Sequence, residues 1–99
     1  MNNLQWLQGW LLENCFIDSD HYYGITIETI DNPGWNIRIQ LKDTILNSEK
    51  FEDIIIQREN EENWIQCKVE NEEFNAFCGP KNLEEVISIF RKWVEHLSA

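Results

Sequence analysis

The chain has 99 residues, of which 18 are acidic and 8 basic, for a formal net charge of −10 at neutral pH. A length of this order makes one domain whose single core needs no metal or disulfide. So large an acidic surplus argues against nucleic acid as a direct partner, because phosphate binding requires clustered Lys and Arg. A basic protein partner is favoured instead, although surplus acid also serves simply to keep a protein soluble.

Five Trp, five Phe and two Tyr supply large apolar areas to a small core. The three cysteines, Cys15, Cys67 and Cys78, contain no CxxC pair and leave an odd one over. The amino terminus has no basic region and no uninterrupted apolar run, so neither a signal peptide nor a membrane span is expected. The expectation is a cytoplasmic protein with free thiols.

Taken in order, residues 2–16 read as a helix, with Leu4, Leu7 and Leu11 at i, i+3 and i+7 and Trp6 and Trp10 beside them. Asn2 or Asn3 can cap its start. Gly9 in mid-helix costs roughly 0.5–1 kcal/mol relative to Ala, which suggests close packing against a sheet. Asp18-Ser19-Asp20-His21 then breaks the pattern. Two carboxylates and an imidazole invite a metal or acid–base reading, but the other histidine, His96, lies near the far terminus, and a solvated turn accounts for the segment better.

Strands are expected over about 22–30 and 35–42, where apolar and polar residues alternate on either side of Asp31-Asn32-Pro33-Gly34. Pro33 presets φ, and Gly34 is expected to take the positive φ of a type II turn. Matching apolar faces pairs Ile27 with Ile39 and Thr29 with Ile37, and sets Glu28 against Arg38 on the polar side. The connection after Lys42 is long for a sheet and has room for a helical turn or a functional loop. A third strand, 53–59, opens with Ile54-Ile55-Ile56, whose branched side chains suggest cover on both faces.

The next strand, 64–70, sets Ile65, Cys67 and Val69 on one face and Trp64, Gln66 and Lys68 on the other. Cys67 is thus a small core hydrophobe, and Trp64 is either a rim of the core or a partner contact. A short strand over 73–78 stops at Gly79-Pro80. Asn82-Leu83-Glu84-Glu85 is a capping-box pattern opening a helix over 83–97, with a stripe of Leu83, Val86, Ile87, Phe90, Trp93, Val94 and Leu97. The order implies an α+β fold: an antiparallel meander of about five strands, one face covered by the N- and C-terminal helices.

The chain holds no Gly-rich phosphate loop, HExxH, GxSxG or paired Cys–His spacing, so neither an enzyme nor a cofactor-binding protein is indicated. A nucleophile pair of His21 with Cys15 or Cys78 is the weakest reading. A small acidic protein-binding adaptor is the other alternative.

Tyr23-Gly24-Ile25, Glu28-Thr29 and Asp31-Asn32-Pro33-Gly34-Trp35 resemble the signature region of the immunity protein 53 family, small bacterial proteins encoded beside polymorphic toxins. The resemblance extends through Trp6, Trp10, Trp64, Cys67, Gly79-Pro80, Phe90 and Trp93. It implies a protein that binds and neutralises a cognate toxin. The surface expected to do so is the end of the sheet where alternate connections gather. Asp18 and Asp20 precede the first strand, Asp43, Glu49, Glu52 and Asp53 lie in the long connection, and Glu70, Glu72 and Glu73 flank a turn. Tyr22 and Phe51 are candidate anchors there, and Trp64 is an outlying alternative. The expected target is a basic, nuclease-like active site.

Overall fold

The computed structural model describes residues 1–14, 24–31, 33–42, 44, 46, 49–58 and 61–98. The elements are α1 (Asn3–Asn14), β1 (Ile25–Ile30), β2 (Gly34–Gln40), β3 (Ile54–Gln57), β4 (Trp64–Glu70), β5 (Glu73–Cys78) and α2 (Leu83–Ser98). Five antiparallel strands form one open sheet with a helix from each end of the chain, an α+β fold. Their spatial order is β1-β2-β5-β4-β3, not that of a simple meander. The β3-β4-β5 meander folds back so that β5 pairs with β2, and the connection between β2 and β3 crosses the end of the sheet.

The first hairpin keeps its expected faces but is shifted by two residues. Ile25 stands opposite Ile39, Ile27 opposite Ile37 and Thr29 opposite Trp35, leaving Asp31 to Pro33 as a loop between paired Ile30 and Gly34. This tighter loop brings Trp35 into the ladder, where its indole N–H donates to the Pro80 carbonyl at 3.1 Å. Glu28 and Arg38 are therefore diagonal rather than opposite, on one face, and joined at 3.1 Å. Gly34 does not take the positive φ expected of it. It is glycine for a steric reason: a Cβ there would run into the Cys78 carbonyl and meet the Trp64 ring at 3.4 Å.

One face of the sheet makes the core: Ile37 and Ile39 of β2, Ile65 and Cys67 of β4, and Phe74, Ala76 and Cys78 of β5 are all buried. Phe90 of α2 closes it, with ring centroids 5.0 Å from Phe74, 5.3 Å from Trp10 and 5.9 Å from Trp6. Trp6, Leu7 and Trp10 are thus the inward side of α1, while Leu4 and Leu11 of the expected stripe are 57% and 41% exposed. The two tryptophans sit between leucine positions and reach farther, so they set the rotation of the helix. Nothing lies within 4 Å of where a Gly9 Cβ would stand, so that glycine does not mark close packing. Asn2 caps α1, accepting from the Gln5 amide at 2.8 Å and donating to its side chain.

Asn82 begins α2 differently from a capping box. Its Oδ1 accepts from the Trp64 amide at 3.1 Å and its Nδ2 donates to Asn63 Oδ1 and Glu85 Oε1, so the cap side chain ties the helix to the start of β4. Phe90→Ala is expected to lower the free energy of unfolding in a denaturant titration by roughly 3–5 kcal/mol, because transfer energy and packing are lost together. A loss below about 1 kcal/mol would show that α2 does not close the core.

Candidate functional site

Strands that alternate in direction put the β2–β3 connection and the β4–β5 turn at the same end of the sheet. The Leu41 amide donates to the Glu72 carbonyl at 2.8 Å, which joins the two segments directly. The described residues of the connection are fastened to the core. Leu46 is fully buried, and Phe51 packs edge-on against Phe74 at 5.5 Å and Trp93 at 5.0 Å. The Lys50 carbonyl accepts from the Trp93 indole at 3.2 Å. Phe51 thus packs against the wall of the core and is half-buried. Glu49, Glu52 and Asp53 beside it are exposed.

At the β4–β5 turn, Asn71 and Glu72 both have positive φ, 54° and 61°. They are the two central residues of a hairpin closed by Glu70 opposite Glu73. This is the primed turn that matches strand twist, and its second position favours glycine. Here that position holds Glu72, and like charges stand directly across the ladder; each feature is locally unfavourable. Lys68 pairs with Glu70 at 3.1 Å, which offsets part of the repulsion.

Asp18, Asp20, Tyr22 and Asp43 lie outside the described residues. Of the remaining expected residues, Glu49, Glu52, Asp53, Glu70, Glu72 and Glu73 come together at this end, with Lys42, Lys50 and Lys68 as bases. Trp64 is at the opposite end, half-buried, its indole N–H donating to the Glu61 carbonyl at 3.1 Å. That end carries Asp31, Glu61, Glu62, Glu84 and Glu85 against Arg58 and Lys81, so among the described residues the surplus of acid is the same at both.

The two ends differ in degree of pairing. Arg58 grips Glu85 through both oxygens at 2.9 and 2.8 Å and holds its carboxyl below the usual range, and Lys81 pairs with Glu62 at 3.3 Å. Among the described residues Glu49, Glu52, Asp53, Glu72 and Glu73 make no ion pair, and at the other end Asp31, Glu61 and Glu84 make none either. Whether a carboxylate is paired depends also on residues distant in sequence, so a count of acids does not show it.

Cys15 and His21, half of the expected nucleophile pairs, lie outside the described residues. Among the described residues no cluster of three His, Cys, Asp or Glu could hold a metal ion. Burial pushes the Cys67 thiol up to about 12 and the Cys78 thiol up to about 11, so both stay protonated at neutral pH, whereas the nucleophile is the thiolate. Among the described residues no helix is long and apolar enough to cross a membrane.

Among the described residues, then, the fold is a small α+β domain with somewhat more carboxylates free of ion pairs at one end of its sheet than at the other. The chain matches the family described as immunity protein 53 over residues 4–95, nearly its whole length. It belongs to that family: it is an immunity protein, which neutralises a toxin and is not an enzyme. No curated protein and no solved structure matches it.

With Cys15 replaced by Ser, a thiol reagent at pH 8 should label neither Cys67 nor Cys78 in the folded chain and both in denaturant. Because both folded pKa values lie above the unfolded one, their contribution to stability is complete below about pH 8.5 and falls as pH rises toward 11–12. Fast native labelling at pH 8 would show that these thiols are not held in the core.

Proposed function

We propose that this immunity protein neutralises its toxin with the acidic end of the sheet, which meets a basic face of the toxin and blocks its active site. The observation that carries the reading is the β4–β5 turn, where three glutamates are held around two residues of positive φ. A non-glycine residue in left-handed backbone beside an opposed like-charge pair is a local cost that folding alone does not require. The turn is two residues between paired strands, so the backbone that carries the carboxylates has little ordering entropy left to lose on binding. Glu49, Glu52 and Asp53 extend the same negative surface.

Complementary charge accelerates encounter more than it tightens the final complex, and it does so most at low salt. A nuclease suits such a surface, since its cleft must be basic to hold phosphate. The protein would act in the cytoplasm, where a toxin of that kind meets its substrate.

Reversal of Glu72 and Glu73 to Lys should slow association with the toxin encoded by the adjacent gene about tenfold at low salt and flatten its salt dependence. The matching reversal of Asp31 and Glu61 at the other end should leave both unchanged. The opposite pattern would move the interface to the Trp64 end. Glu72→Gly should separate stability from function: it relieves the left-handed strain, raising stability by about 0.5–1 kcal/mol, yet slows association. A variant that gains stability and associates as fast as before would show that Glu72 is not kept for binding.

A further inference from the structure

The pattern of backbone hydrogen bonds singles out one edge of the sheet. In an antiparallel ladder the N–H and C=O of a residue point to the same neighbour, and the direction alternates along the strand. The Gln40 amide bonds the Gly24 carbonyl, Leu41 the Glu72 carbonyl, Gly79 the Trp64 carbonyl and Arg58 the Asn63 carbonyl. These bonds fix the alternation in every strand. Ile54 and Ile56 spend their backbone groups on Cys67 and Ile65 of β4, so those of Ile55 and Gln57 point away from the sheet.

β3 is the outermost strand on that side. Its four residues, Ile54 to Gln57, carry no charge and no proline, the usual devices that blunt an edge. Ile55 is 70% exposed, on the face of the sheet away from the helices. Beside it is a depression of about 120 Å³ walled by Asp53, Ile55, Gln66, Lys68, Asn75 and Phe77. That is too small for a cofactor or drug-sized ligand, which takes about 300 Å³ or more, and fits one aliphatic side chain. Glu52 and Asp53, exposed and without ion pairs among the described residues, lead into the strand.

We propose that β3 is a docking edge: an extended segment of the toxin adds to it as a sixth strand, bonding the outward backbone of Ile55 and Gln57. One apolar side chain of that segment fills the depression beside Ile55, and basic residues meet Glu52 and Asp53. The inference rests on the acidic end facing a basic toxin, and it adds the mode of contact. A second copy of this chain is disfavoured as occupant, because each would bring a charge of −10 to the other. Main-chain bonds supply affinity in such an addition, and the alternate side-chain positions supply selectivity.

Hydrogen exchange residue by residue tests this on the complex with the adjacent toxin. In the free chain the Ile55 and Gln57 amides should exchange fast and those of Ile54 and Ile56 slowly. In the complex the first pair should slow by about 100-fold or more. Ile55→Pro deletes an N–H that the sheet does not use, a place where an edge strand accepts proline. It should leave the circular dichroism and the exchange of β4 unchanged, yet weaken toxin binding about tenfold. Ile55→Val, which keeps the N–H, should bind like the parent.

A complex whose Ile55 and Gln57 amides stay fast overturns the inference, and the acidic-end reading still stands if reversal of Glu72 and Glu73 slows association. Protection that depends on the concentration of the free chain would assign the edge to a second copy. Protection of Ile25, Ile27 and Thr29 instead would assign the toxin to β1. Failure of the unaltered chain to form a complex would overturn both readings.

Discussion

Phe90 joins parts of the chain that are far apart in sequence. Its ring meets Trp6 and Trp10 of α1, Phe74 of β5 and Trp93 one turn further along α2. Phe51 of the long connection closes the circuit between Phe74 and Trp93. The first helix, the last helix, the sheet and the crossing connection thus share one aromatic cluster, and the position of each depends on the others. Arg91 adds a polar stitch at its margin, lying 5.8 Å from the Trp6 ring centroid and donating to the Met1 carbonyl.

That cluster explains how a connection too long for a simple turn becomes a fixed platform. Leu46 and Phe51 hold it down, so the carboxylates of Glu49, Glu52 and Asp53 are displayed from an anchored backbone. The β4–β5 turn is fixed from the other side by the bond from Leu41 to Glu72. In the reading proposed above, such a surface presents charge with little left to order on binding.

How far the sequence discloses this varies with the physics involved. The alternation of apolar and polar residues in β1, β2, β4 and β5 dictates which side chains face the core, and those faces hold because a slip of one residue would invert them all. A slip of two inverts nothing, so periodicity did not fix the hairpin register; the clearance at Gly34 and the reach of Trp35 to Pro80 are tertiary facts. The same holds for strand order. Any alternation of up and down strands sends the connections to the same two ends, which is why the sharing of one end by the β2–β3 connection and the β4–β5 turn was legible although the placement of β5 beside β2 was not. On α1, leucine spacing pointed to one stripe while the larger tryptophans set the rotation, and Leu4 and Leu11 were left exposed. Phe51 looked like a free anchor because its partners, Phe74 and Trp93, are distant in sequence. Charge could be counted from the residues, but whether a carboxylate is committed to an ion pair could not.

The central claim is that this chain protects by holding its toxin in a direct complex, and coexpression with that toxin tests it most directly. Cells producing the toxin domain should stop growing, and production of this chain should restore growth and yield a complex of the two proteins on purification. Restored growth with the toxin recovered free and inactive, or no restoration with both proteins folded, would contradict the account.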